Sequence, residues 1–301
     1  MCGVLVDILI ALKERVPNKL KESAGYILIT PAIVSIGVMV AGLIQLTYIS
    51  FLTFDPIKLF LPEPSLRSYL TILSRPVYGT IMVRTLGISL LVSLSCLALG
   101  IPYAYYLVRT ESPLVQKALI VLALAPFFVG EIVKAYGWLI ILGRNGLISY
   151  LSKSFFGVEL NLIYTPFSVY LGLLQTMLPF AIFVLAPAVA AVPRETEMAA
   201  QNLGATPLQS FLHVILPQLK PGIISAFLVT FTISATEYAI PDLLGGGLVD
   251  FVANQIYTVL FNSLNYPLAA ALSVILVLVV SLVVYLVLKI GRVGNIFIRG
   301  G

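Results

Sequence analysis

Residues 193–222, PRETEMAAQNLGATPLQSFLHVILPQLKPG, form a polar island between apolar runs long enough to cross a bilayer. They predict two short helices joined by a bend. Pro193 suits a first helical turn, and Glu195 and Glu197 stand where the helix dipole favours acids. Met198, Ala199, Ala200 and Leu203 make a small, weakly apolar surface, and Gly204 supplies the left-handed residue that ends a helix. Thr206-Pro207-Leu208-Gln209 restarts the chain with a capping-box pattern. Leu208, Phe211, Leu212 and Ile215 follow at helical spacing, so one apolar face is expected, with Pro217 ending the helix and Pro221-Gly222 opening the next span.

The rest of the chain says what surrounds the island. Of 301 residues, 59% are hydrophobic and 10% charged, and mean hydropathy is +1.04. Soluble globular chains carry roughly 25% charged residues, so this composition marks an integral membrane protein. Helix-length apolar runs, rather than short alternating segments, exclude a β-barrel reading. The net charge of +5 sits in loops and reflects topology, not nucleic-acid binding. Cys2 and Cys96 are too few for a disulfide framework or metal cluster, and the one histidine, His213, reads as a surface residue rather than a catalyst or ligand. No G-x-x-x-x-G-K-S/T run occurs, so ATP hydrolysis is expected in another chain, and no nucleophile–base pair or metal set suggests an enzyme.

The expected fold is all-α and membrane-embedded, with six spans at about residues 26–54, 85–108, 118–142, 166–192, 222–240 and 268–290. Residues 1–25 read as a cytoplasmic or interfacial segment, since the apolar stretch 2–12 is too short to span and its positive charges follow it. Residues 26–290 form one transmembrane domain and 291–301 a tail. A polar, proline-rich loop is expected up to about residue 81, and a short surface helix over 147–156. Lysines and arginines crowd the N-terminal, 109–117, 194–220 and C-terminal segments and are sparser in the others, which puts both termini and the island in the cytoplasm.

Ionisable groups inside a bilayer cost on the order of a few kcal/mol each by insertion scales, which makes those in spans functional candidates. Glu131 and Lys134, three apart on one helical face of the third span, either pair as an internal salt bridge or line a path. Glu237, in the fifth span, is either paired in the fold or offers negative charge to a cationic solute.

The run AAQNLGATPLQSFLHVILPQLKPGI resembles the EAA loop of ABC importer permeases, with Gly204, Val214, Leu216 and Pro217 at that family's spacing. By register the family's glutamate falls on Met198, with Glu197 one residue earlier, while Ala199, Ala200 and Gly204 fit. Two further stretches are similar to the spermidine/putrescine (polyamine/opine) branch. In PFFVGEIVKAYGWLIILGRNG (126–146), Tyr136 and Trp138 match and Lys134 replaces a usual arginine, while Gly130-Glu131 departs from the pattern. In ATEYAIPDLLGGG (235–247), followed by NYPLAAALSVIL, the residues Glu237, Pro241, Leu244, Gly245 and Gly246 match.

The resemblance implies an importer subunit of a prokaryotic inner membrane, without bound cofactor or metal. Residues 193–222 would be its coupling helix, docking on a cytoplasmic ATPase through Glu197, Met198, Ala199, Ala200, Leu203, Gly204, Val214, Leu216 and Pro217. It also implies two ABC ATPase subunits using Mg-ATP, a second permease, different or identical, and a periplasmic or lipid-anchored solute-binding protein. For a polyamine, Glu131, Glu237, Tyr136, Trp138 and Tyr238 would supply carboxylates and aromatic faces, with Lys134 opposing. Aromatics at span ends, such as Tyr164 and Tyr285, read as interfacial anchors. Two other readings stay open: an ion-gradient-driven secondary transporter using Glu131 and Glu237, and a membrane-embedded enzyme or scaffold.

Overall fold

The computed structural model describes residues 18–299. The interfacial stretch expected at 2–12, and Cys2 with it, lies outside the described residues. Helix α1 (Asn18–Ser50) begins before residue 26 and ends before the expected residue 54, and its membrane-length apolar stretch is Ile29–Ser50. The following loop is more ordered than its prolines suggested. It holds an antiparallel hairpin, β1 (Leu52–Asp55) and β2 (Leu59–Pro64), and a short helix, α2 (Arg67–Ser74). The Asp55 carboxylate closes the hairpin turn, accepting the backbone N–H of Lys58 at 2.7 Å and of Ile57 at 2.9 Å. Those two bonds hold its carboxyl below the ordinary aspartate range.

Helix α3 (Pro76–Arg109) starts at Pro76, earlier than the expected residue 85, because proline is preorganised for a first helical turn. The third span departs most from expectation. It is broken into α4 (Pro113–Phe128) and α5 (Glu131–Leu142), the latter leading into α6 (Leu147–Phe156), with a bend of 96° at the break. Pro126 removes a backbone donor just before the break, and Gly130 takes an extended conformation as the N-cap of α5. Helix α7 (Pro166–Ala190) follows, started by a reciprocal Thr165–Ser168 capping box.

The island contains α8 (Arg194–Asn202) and α9 (Pro207–Gln218), and α10 (Lys220–Ala235) leaves it at 69°. Helix α10 ends before the expected residue 240. After a break come α11 (Ala239–Gly245), α12 (Val252–Tyr257) and the long α13 (Tyr266–Arg299). Among the described residues four stretches are long and apolar enough to cross a membrane: Ile29–Ser50, Pro76–Arg109, Pro166–Ala190 and Tyr266–Gly291. Counting each bent pair as one span brings the number to six.

Helices α3, α7 and α10 pack on one another to form the centre. Lipid tails are as apolar as leucine, so helices in a bilayer associate through close packing rather than water exclusion. Small side chains at the contacts allow it: Ser89, Ser93 and Ala104 of α3, Ala181 of α7, and Ala226, Ser234 and Ala235 of α10 are buried. Val92, Leu173, Met177, Leu185 and Phe231 fill the space between them. By contrast α1 packs chiefly on α13 and presents Ile33, Val38 and Ile44 outward.

Candidate functional site

Two arrangements bring together the sequence's candidate residues. The first is the island. Gly204 has φ +93°, and the turn around it has both bonds of a Schellman motif: Gly204 N–H donates to Gln201 O at 2.9 Å and Ala205 N–H to Ala200 O at 3.1 Å. Thr206 then caps α9, its hydroxyl accepting the Gln209 N–H at 3.3 Å while Gln209 Oε1 accepts the Thr206 N–H at 2.9 Å. Pro217 does not end this helix, as the sequence suggested, but lies within it at Leu216–Gln218. Having no N–H, it cannot bond to the carbonyl of residue 213, and the preceding Phe211–Ile215 turn is a π-turn, closed by Leu216 N–H on Phe211 O.

Glu197 fastens the island to the membrane bundle. Its Oε2 accepts from Arg109 Nε at 3.1 Å, and its Oε1 accepts from the Tyr105 hydroxyl. Both members of the ion pair are nearly buried, at 13% and 12% exposure. Arg109 also donates to Val192 O at 2.9 Å, and Arg194 reaches back to Arg109 O at 3.1 Å. Phe211 packs edge-on against Tyr105, with ring centroids 4.9 Å apart. The apolar face expected on α9 is therefore split. Phe211 and Ile215 turn inward, while Leu208 and Leu212 stay exposed, as do Met198 and Ala199 of α8 and Leu203 just after it. Leu203 is 90% exposed at the tip. Val214 and Leu216 are half-buried behind this surface, as is Ala200.

The second arrangement is a cavity of about 320 Å³ at the bend of the third span. Glu131 and Lys134 of α5, Thr176 and Met177 of α7, and Glu237 line it. Of the two readings of Glu131 and Lys134, the salt bridge does not form; among the described residues the ion pairs are Arg109–Glu197, Lys153–Glu159 and Arg194–Glu111. Glu131 instead opens α5, where its charge complements the helix dipole. Glu237 lies in the break after α10 rather than within a span helix. Its Oε1 accepts the N–H of Tyr238 at 3.1 Å and of Ala239 at 3.0 Å, the residue before α11 and its first. Trp138 lies next to the cavity, in a hollow shared with Lys134 and Gln175, and its indole N–H donates to Gln175 Oε1. Tyr136 is exposed and Tyr238 packs on Tyr257, so neither lines the cavity.

Tyr105, Arg109, Thr176 and Gln175 were not singled out in the sequence. Arg109 carried a signal, as the basic residue ending a span on the side expected to hold the island. Tyr105, Thr176 and Gln175 carried none, since each lies in an apolar run and meets its partners only through helix packing.

Residues 90–290 match the family described as "Binding-protein-dependent transport system inner membrane component". The spermidine/putrescine transport system permease protein PotB of Escherichia coli (strain K12) is 29% identical over 248 residues, 82% of this chain and 90% of that protein. Its namesake in Haemophilus influenzae is 28% identical over 260 residues, 86% of this chain and 90% of that protein. Among solved structures, a bacterial alginate ABC transporter in complex with alginate pentasaccharide-bound periplasmic protein shares the fold. Its TM-score is 0.74 at 17% identity, covering 91% of this chain and 96% of that one. The chain belongs to the family of binding-protein-dependent transport system inner membrane components.

Proposed function

We propose that this family member is the membrane subunit of an ATP-driven importer for a polyamine or a related amine or amino-acid-like solute. In this reading residues 26–290 form one transmembrane domain of six spans, the bent α4–α5 pair counting as the third and α10 carrying the fifth, with both termini and the island in the cytoplasm of a bacterial inner membrane. The island docks on one of two ABC ATPase subunits that hold Mg-ATP. A second permease completes the path, and a solute-binding protein delivers the solute from outside. No nucleic acid takes part, and this chain does no chemistry of its own.

The observation that carries the proposal is the exposed apolar tip Met198–Leu203–Leu208–Leu212 on a loop fastened rigidly to α3 by Glu197 and Arg109. A soft loop would absorb motion; two capped helices clamped to a span transmit it. Closure of the ATPases would then turn the bundle between inward- and outward-open states. Glu131, Lys134 and Glu237 line a cavity at a break in the helical backbone, which a bilayer tolerates only where protein or a water-filled path covers it. Two carboxylates against one lysine suit a cationic solute, and the sequence similarity to spermidine/putrescine permeases points to the same class. Family membership argues against an ion-gradient mechanism built on Glu131 and Glu237.

The test is uptake of labelled spermidine and putrescine by proteoliposomes carrying the complete complex and its solute-binding protein. Accumulation is expected with internal Mg-ATP and no ion gradient, and to be unaffected by a proton uncoupler. Uptake that collapses with the uncoupler while ATP is sustained would overturn the mechanism. ATP-driven uptake of another solute alone would overturn the substrate class.

A further inference from the structure

We propose that the end of the bundle away from the island holds one anionic phospholipid, its headgroup between Arg67 and Arg75 and an acyl chain in the apolar cavity next to Arg75. The inference rests on the chain spanning a membrane, and not on the direction of transport or the solute.

Helix α3 spans the distance between the two ends: Arg109 at one terminus binds the island, and Arg75 precedes the other. Beside Arg75 lie two cavities. One, of about 410 Å³, is polar and takes its walls from three separate segments: Leu52 and Phe54 of the hairpin, Arg67, Ser68, Thr71 and Arg75 around α2, and Asn265 before α13. No acidic residue lines it, and neither arginine belongs to an ion pair among the described residues. Asn265 Oδ1 accepts the Leu268 N–H at 3.1 Å, which leaves its amide N–H₂ as a further donor. Two guanidiniums, a hydroxyl and an amide without a carboxylate among them are complementary to a phosphate.

The second cavity, of about 250 Å³, is apolar, and Arg75 lines both. Ile72, Met82, Leu272 and Ile275 form its walls. A soluble anion has no use for such a neighbour, whereas a phospholipid joins a charged head to a hydrocarbon chain, as Arg75 joins the two cavities. The level in the membrane also fits. Leu66, Leu70 and Leu73 form an exposed apolar stripe along α2, and an amphipathic helix of this kind lies in the headgroup region. A lipid bound here would tie the hairpin, α2 and the start of α13 together through one headgroup.

Native mass spectrometry of the full transport complex in mild detergent tests this, with phosphatidylglycerol, phosphatidylethanolamine and glycerol 3-phosphate as probes. Phosphatidylglycerol is expected to bind about tenfold more tightly than phosphatidylethanolamine, and glycerol 3-phosphate not measurably. The Arg67→Gln/Arg75→Gln variant should lose most of that preference. Gly79→Leu tests the chain cavity separately, because Gly79 lines it and an added Cβ would meet nothing within 4 Å. It should weaken phosphatidylglycerol binding several-fold with both arginines in place, and it carries the test alone if the double variant does not fold. Equal binding of the two lipids, or unchanged binding in Gly79→Leu, would overturn the proposal. Tight binding of glycerol 3-phosphate would make the site a free-anion pocket instead. Loss of solute-binding-protein attachment in the arginine variant, with lipid retention unchanged, would assign the arginines to that partner and also overturn it.

Discussion

Glu197 shows how one side chain converts a loop into a rigid part. Its carboxylate takes a guanidinium N–H and a phenol, both from α3, in a nearly dry pocket. Hydrogen bonds to charged groups at such sites contribute about 1.5–3 kcal/mol. Glu197→Gln keeps an acceptor for Tyr105 but loses the ion pair, so it should lower the thermal stability of the purified chain by an amount in that range. A variant melting with the wild type would show the clamp to be idle. Gly204 acts through its backbone alone: an added Cβ would meet nothing within 4 Å, but φ +93° disfavours any L side chain. Gly204→Ala should therefore cost about 1–2 kcal/mol with no clash. Asp55 adds a pH dependence. Its folded carboxyl titrates below the ordinary value of 3.8 because Lys58 and Ile57 N–H groups bind the charged form. The stabilisation is therefore complete above that value and lost as pH falls through the lower folded one. The Lys58 amide should keep its protection, relative to the intrinsic exchange rate at each pH, at about pH 5 and lose it only in stronger acid.

At the scale of elements, the breaks after α4 and after α10 set the cavity. Glu237 has two roles: its Oε1 holds the two N–H groups at the start of α11, and its carboxylate brings a charge to the cavity. The two roles can be separated. Glu237→Gln keeps an acceptor for both N–H groups and should leave stability within about 1 kcal/mol of wild type while cutting uptake of a cationic solute about tenfold or more. Glu237→Ala should lose those two hydrogen bonds too, at about 1.5–3 kcal/mol in a melt. Equal uptake by wild type and Glu237→Gln would remove the charge from the path.

The same elements show what was legible in the sequence. The island's helices, its glycine bend and its Thr206 cap follow from local rules, and the structure has all three. The break at Val129-Gly130 was missed because the apolar run continues across it, and hydropathy records burial in lipid, not direction. The hairpin was missed because prolines at 56, 62 and 64 hid its alternation. Glu131 and Lys134 do share one helix, α5, as their spacing implied, but of the two readings left open the structure has them lining a cavity without an ion pair between them. The Glu197–Arg109 clamp joins residues far apart in the chain, and no local pattern announces it.

For the whole molecule, the central helices α3, α7 and α10 and the fastened island form one body, with α1 lying apart against α13. That division suits a machine in which force enters at the island and leaves as reorientation of the central spans. The central claim is that the exposed tip of the island is the ATPase-docking surface. Its most direct test is co-purification from native membranes in mild detergent, comparing wild type with Leu203→Asp/Leu208→Asp. Both positions are well exposed, at 90% and 67%, so the changes spare the fold while placing charge in the docking face. The expected result is an ABC ATPase retained by the wild type and lost from a variant that inserts and melts normally. An ATPase retained equally by both would contradict the docking role.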